Sequence, residues 1–147
     1  MTELRPITED NFLDAFALQL APGQEPFVSH PIRSLAQAYV YYHQCTPFGI
    51  YAGEIMVGYV MVIYDRGTGE YNIWHLMIDR RYQGIGYGKQ AVRLCLDYIR
   101  QEPFGPGNIV LLTCHEENTT AVSLYKSLGF QETGNRDEAE TEMKLTL

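Results

Sequence analysis

Gly84, Gly86 and Gly88 occupy alternate positions in Tyr82-Gln83-Gly84-Ile85-Gly86-Tyr87-Gly88-Lys89-Gln90-Ala91. An apolar run before them, Ile73 to Ile78, reads as a strand, and an amphipathic run after them, Ala91 to Ile99, reads as a helix. Glycine has no Cβ, so on such a turn the backbone can approach a ligand closely and aim several N–H groups at one anion. The helix N-terminus adds its partial positive charge, and Lys89 adds a formal one. The chemistry on offer is a pyrophosphate cradle made of backbone. Spacing narrows the choice. A dinucleotide loop, G-x-G-x-x-G from Gly84, would need glycine where Lys89 stands. A Walker loop ending at Gly88-Lys89 would need glycine at Gln83 and serine or threonine at Gln90. Neither fits. What remains is Q-x-x-G-x-G, with Gln83, Gly86 and Gly88 as its fixed letters.

A second set lies in Asn118-Thr119-Thr120-Ala121-Val122-Ser123-Leu124-Tyr125-Lys126-Ser127-Leu128-Gly129-Phe130. Taken singly, each residue has an ordinary reading. Asn118 suits a helix N-cap, Tyr125 a core aromatic, and Gly129 the residue that ends a helix. Their order, downstream of the glycine loop, carries more than any one of them.

Both segments resemble the GCN5-related N-acetyltransferase (GNAT) superfamily, the first its acetyl-CoA loop, the second its N-x-x-A-x-x-L-Y-x-x-x-G-F signature. The resemblance runs from about Ile7 to Leu147. It implies transfer of acetyl from acetyl-CoA to a primary amine, without a metal. Coenzyme A would be held by Gln83, Gly84, Ile85, Gly86, Tyr87, Gly88 and Lys89, by backbone of Leu76, Met77 and Ile78, and by Asn118. Tyr125 would lie near the thioester sulfur and protonate the leaving thiolate. Thiol and phenol differ modestly in pKa, about 8.5 against 10, so that transfer assists rather than dominates. The position that carries glutamate in the histone-modifying branch falls near Asn72, so that branch's base is unmatched. Glu70, His75, Glu116 and Glu117 lie near the expected site, and no single base is named. Strand alternation puts His75 on the face opposite Trp74 and Leu76.

On the acceptor side, the first quarter of the chain and the Asp65–Tyr71 turn hold Glu25, Tyr39, Tyr41, Tyr42, Tyr64, Asp65, Glu70 and Tyr71. Carboxylates and aromatic faces hold ammonium groups, while each tyrosine also has a plain packing reading. Glu25, Tyr39, Asp65, Glu70, His75 and Glu116 are the expected acceptor contacts. Segments such as Tyr71-Asn72-Ile73-Trp74 are similar to bacterial spermine/spermidine acetyltransferases of the BltD type. That group usually continues Arg-Phe-Met-Ile-Asp, where this chain has His75-Leu76-Met77-Ile78-Asp79. A polyamine is the leading acceptor; another small amine, or a protein lysine or N-terminus, is the alternative. A binding module that keeps the loop without turnover is the alternative of another class.

These residues need a scaffold. Leu4–Ile7 reads as a strand, then a helix capped by Thr8 with apolar positions to Leu20, and a second helix from Ser34 to Tyr42. Strands follow at Pro47–Ala52, Met56–Tyr64 and Tyr71–Ile78, a helix at Lys89–Arg100, and a continuous apolar strand at Asn108–Cys114. A helix near Thr119–Ser127 and strands near Phe130–Asn135 and Glu142–Leu147 close the chain. The expected fold is mixed α/β (α+β). One 1–147 domain holds a mixed central sheet of about six to seven strands, with helices on both faces and a splay between the strands ending near Ile78 and Cys114.

Composition sets outer bounds. A chain of 147 residues can bury a full core. A net charge of −7 argues against nucleic acid and suits a cationic small molecule. No apolar run reaches membrane-spanning length, and Met1-Thr2-Glu3-Leu4-Arg5 does not open like a signal peptide. Cys45, Cys95 and Cys114 lack metal-ligand spacing; the last two read as core thiols, which points to a reducing compartment, the cytoplasm. A homodimer is left open.

Overall fold

The computed structural model describes residues 1–26 and 29–147. Among the described residues the elements run β1 (Thr2–Pro6), α1 (Phe12–Ala17), α2 (Pro31–Val40), β2 (Cys45–Ala52), β3 (Ile55–Asp65), β4 (Glu70–Ile78), α3 (Tyr87–Ile99), β5 (Ile109–His115), α4 (Thr119–Ser127), β6 (Gln131–Asp137) and β7 (Glu140–Thr146). The strands form one sheet in the order β1-β2-β3-β4-β5-β7-β6. All neighbours are antiparallel except β4 and β5, which are parallel. The expected mixed sheet with helices on both faces is what forms.

Each face of the sheet has its own core. Ala91, Val92, Cys95, Leu96 and Ile99 recur at helical spacing along α3 and pack with Tyr125 of α4 against Val60, Val62, Ile73, Val110 and Leu112. Burying a Val, Leu or Ile side chain contributes about 1.5–3 kcal/mol. On the other face, Ala15 and Leu18 of the α1 region and Ala38 of α2 pack on Tyr59, Met61, Ile63 and Met77. The three cysteines are buried and form no disulfide among the described residues.

Boundaries moved where side chains cap backbone. Helix α2 starts at Pro31, three residues ahead of the expected Ser34. Proline suits the first helical position, and His30 Nδ1 accepts from the Ile32 N–H at 3.1 Å. The His30 Nε2–H donates in turn to the Leu18 carbonyl at 2.9 Å, tying the start of α2 to the end of α1. Helix α1 is shorter than expected, ending at Ala17 because Leu18 is extended. Asn11 is its cap residue; Thr8 closes the turn before it, its own N–H donating to Asn11 Oδ1 at 2.8 Å.

Candidate active site

The parallel pair β4–β5 is joined at only two positions, Tyr71↔Val110 and Asn72↔Leu111. Beyond them the strands part. Strand β3 still pairs β4 out to Ile78, and β7 still pairs β5 out to His115. The outer edges of both strands are therefore satisfied, while their inner edges face a gap. Such edges can bond the amides of an extended chain, as an added strand does. Leu76, Met77 and Ile78 lie on this stretch. The Met77 side chain packs into the α1/α2 core and the Ile78 carbonyl already accepts one bond from Gln83, so what these residues offer a ligand is chiefly backbone.

Within the gap β4 carries a bulge. Tyr59 pairs Met77 but Met61 pairs Trp74, so β4 has one extra residue there, and His75 adopts φ 59°. This corrects the alternation argument. His75 and Trp74 share the α2 face, with ring centroids 5.4 Å apart, while Leu76 packs on the α3 face. His75 Nδ1 meets Ser34 Oγ at 2.6 Å, and Ser34 Oγ meets the Tyr59 hydroxyl at 2.8 Å, both latter residues being fully buried.

Proton accounting gives that chain a direction. Among the described residues the only hydrogen-bond partner of the Tyr59 hydroxyl is Ser34 Oγ, so the phenol donates to it. Ser34 must then donate to His75 Nδ1, which leaves the imidazole proton on Nε2. The reverse direction would strand a buried phenol hydrogen, at a cost of about 1–3 kcal/mol. Burial first, then Arg33, holds the imidazole pKa down to about 4. His75 is thus a neutral Nε2–H donor with no free lone pair, which removes it as the amine's base.

The glycine loop lies at the C-terminal end of β4, after a 3₁₀ turn at Arg80–Tyr82. Gly84 has φ 77° and Gly86 φ 99°, conformations in which side chains are strained. A Cβ on Gly84 would meet nothing within 4 Å, and one on Gly86 only the end of Gln90 at 3.9 Å. The space above the loop is open, as an approaching pyrophosphate requires. Gly86 is the N-cap of α3, and the first helix bond to close is Gln90 N–H to the Gly86 carbonyl at 3.2 Å. The N–H groups of Tyr87, Gly88 and Lys89 have no acceptor within the helix, the arrangement that suits an anion at a helix start. Ile85 is exposed at the loop tip.

Asn118 caps α4, its Oδ1 accepting from the Ala121 N–H at 3.3 Å. Tyr125 is buried on the α3/α4 face with its ring 5.9 Å from Phe130. Its hydroxyl bonds no protein group among the described residues. Burial, then Cys114 and Cys95, push its pKa above the ordinary phenol value, so it stays protonated.

The expected acceptor residues separate. Glu25 lies between α1 and α2, its carboxylate taking the Gly23 N–H at 3.1 Å. Tyr39 is exposed and stands against Tyr42, whereas Tyr41 reaches Trp74 edge-on at 6.3 Å. Asp65 and Glu70 pair with each other across the β3–β4 hairpin, at the far end of β4 from the gap. Asp65 caps that hairpin through the Gly67 and Thr68 N–H groups. The structure does not bring these two to the opening. Glu116 follows β5 directly, at the end of that strand beyond the gap, paired with Arg136 and with its N–H on the Ala139 carbonyl at 2.9 Å. That bond folds the Asp137-Glu138-Ala139-Glu140 turn over the end of β5, adding carboxylates that the sequence reading did not single out. The charge run Arg136 to Glu142 was the available signal. Among the described residues no three His, Cys, Asp or Glu side chains gather as metal ligands, and no helix is long and apolar enough to cross a membrane.

The profile of the acetyltransferase (GNAT) family matches residues 12–130, and the chain belongs to that family. It is 32% identical over 121 residues to N-alpha-acetyltransferase RimI of Mycobacterium tuberculosis, spanning 80% of this chain and 70% of that protein. It is 26% identical over 140 residues to a spermine/spermidine N(1)-acetyltransferase of Bacillus subtilis, spanning 91% and 90%. The fold matches spermidine N-acetyltransferase from Vibrio cholerae, solved with CoA and spermine, at TM-score 0.75 and 19% identity over 99% of this chain and 95% of that one. The protein is an acyl-CoA-dependent N-acetyltransferase, and acetyl-CoA is its cosubstrate. The open glycine loop and the one-sided edges of β4 and β5 fit that molecule's pyrophosphate and its amide-bearing arm.

Proposed function

We propose that the chain acetylates a polyamine such as spermidine or spermine. The observation that supports this acceptor is the placement of acid. Glu117, Asp137, Glu138 and Glu140 gather with the Arg136-paired Glu116 at the C-terminal end of β5 and the adjoining β6–β7 turn, where their surplus negative charge would draw in a polycation. The Bacillus relative, matched along nine-tenths of both chains, bears on the same reading. In it, the glycine loop and Asn118 hold coenzyme A, the β4 edge fixes the thioester arm, and Tyr125 hands its proton to the departing thiolate. An alkyl ammonium has a pKa near 10, so a proton must leave before attack. His75 cannot take it, and these carboxylates, directly or through water, are the groups left to do so. Three buried thiols suit the cytoplasm.

Modification of a protein N-terminus is the second reading, and the 32% identity to RimI favours it. Free-thiol release from acetyl-CoA, measured across spermine, spermidine, a monoamine and an N-terminal peptide, separates the readings. Spermidine is expected to exceed the monoamine by about tenfold or more in kcat/KM, about 1.4 kcal/mol of transition-state preference, and to lose that advantage as salt rises. A peptide favoured tenfold would replace the polyamine. Acetyl-CoA binding without thiol release on any amine would make the chain a binding module.

A further inference from the structure

The segment between α1 and α2 is bound to the glycine loop at two places. At the first, the buried Asp79 carboxylate accepts from the Gln19 N–H at 3.0 Å and from the Arg81 backbone and side chain at 2.9 Å each, while the Arg80 N–H returns to the Gln19 carbonyl at 2.9 Å. Burial works to raise the Asp79 pKa, but these donors outweigh it and hold the carboxyl below its ordinary value. This link is a fixed clamp. At the second, Gln83 Nε2 donates to the Ile78 carbonyl and to Gln24 Oε1, both at 2.9 Å. The amide orientations follow from the backbone. The Ile78 carbonyl can only accept, which fixes the Gln83 nitrogen; the Ala21 N–H, 3.2 Å from Gln24 Oε1, can only donate, which fixes the Gln24 oxygen. The return contact, Gln24 Nε2 to Gln83 Oε1, is 3.5 Å and leaves the pair room to tighten.

Gln83 immediately precedes Gly84, so any adjustment of the glycine loop around a pyrophosphate moves the residue that Gln24 holds. We propose that Gln24 is a positioning residue coupling the two substrate sites: through Gln83 it passes the state of the glycine loop to residues 18–25, so that acetyl-CoA and amine each favour binding of the other. The inference rests on reading residues 18–25 as a wall of the acceptor site. Coupling of this kind is reciprocal, the two affinities changing by the same factor. Its size is that of one hydrogen bond between neutral groups, about 3- to 10-fold.

Two variants and one probe test it. Gln24→Glu keeps the oxygen that Gln83 and Ala21 share; Gln24→Leu removes it. Hydrogen exchange is followed with and without acetyl-CoA, and spermidine KM and kcat are measured alongside. In the native chain acetyl-CoA should slow exchange both at 84–89 and at 18–25. Gln24→Leu should keep the first effect, lose the second, and raise amine KM about 3- to 10-fold with kcat little changed; Gln24→Glu should behave as the native chain. If acetyl-CoA protects the glycine loop but never residues 18–25, or if Gln24→Leu retains both effects and its KM, the coupling is wrong while the acetyltransferase reading stands. If acetyl-CoA protects neither segment, the reading of the site fails, and the coupling with it.

Discussion

The two ends of β4 are built from similar residues and put them to different use. At the hairpin end the strand has neighbours on both sides. Tyr71 is fully buried, its hydroxyl donating to the Gly105 carbonyl at 2.7 Å and accepting from the Phe104 N–H at 3.2 Å. Tyr64 beside it donates to the Pro106 carbonyl at 2.8 Å. Both hydroxyls are committed to holding the 103–107 loop. At the other end one side of the ladder is missing, a bulge turns His75 out of alternation, and the strand runs into glycines with positive φ. The backbone there is left for a ligand. Polar residues close in sequence thus divide by whether their partners lie within the protein, and β5 sets the dividing line at Asn72.

The largest break in that comparison is expected from Tyr125 on α4, the general acid of the proposed reaction. Its hydroxyl has no protein partner among the described residues, so Tyr125→Phe leaves no group stranded and keeps the Phe130 contact. Folding stability should hold, and coenzyme A affinity should change little. Yet kcat should fall about 10²- to 10⁴-fold, the range for loss of a general acid. Single-turnover thiol release together with a melting curve checks both halves. A kcat near the native value would make Tyr125 a packing residue, like Tyr71 at the closed end.

His75 sharpens the comparison at the bulge. The directed chain from Tyr59 requires the Nε2–H tautomer throughout pH 5–8, which ¹⁵N shifts of the imidazole read directly. The folded pKa of about 4 lies below the unfolded value near 6.5. Between those values the unfolded chain binds a proton that the folded chain refuses, so stability falls as pH drops from about 6.5 to 4. The expected loss is on the order of 1–3 kcal/mol, and His75→Gln should remove that part of the slope. Because His75 is not the base, the same variant should leave the acidic limb of kcat/KM where it was. A moved limb would restore the imidazole as base.

The sequence made the open end's cofactor side readable and its acceptor side largely not. Gln83, Gly86 and Gly88 are legible because backbone cradles demand particular residues at fixed local spacing. The strand splay came with the resemblance, and helix α3 with its periodicity. The His75–Ser34 bond joins positions 41 apart and the Gln24–Gln83 bond positions 59 apart. Nothing in local pattern marks either, since each depends on how α2 and the preceding segment lie across the sheet. The bulge was invisible for a related reason. Alternation assumes regular pairing, and one extra residue in β4 cancels it.

The smallest effect is expected at the closed end, where sequence reading placed two acceptor carboxylates. Glu70 precedes His75 by five strand residues, about 17 Å at 3.3 Å each. Two unit charges that far apart in water attract by about 0.24 kcal/mol. At physiological salt the distance is about two Debye lengths, leaving roughly 0.03 kcal/mol. Asp65 lies farther still and spends its carboxylate on the turn. Asp65→Asn and Glu70→Gln should therefore leave spermidine KM within about twofold, Asn keeping the Oδ1 that caps Gly67 and Thr68. Glu138→Gln with Glu140→Gln should raise it severalfold at low salt, and less at high salt, because their exposed carboxylates lie at the β6–β7 turn beside the end of β5, where screening governs the attraction. Steady-state KM at two ionic strengths decides between the ends. A larger effect from Asp65 or Glu70 than from the β6–β7 turn would mean that the amine enters along the hairpin, and that the paired end of β4 carries function after all.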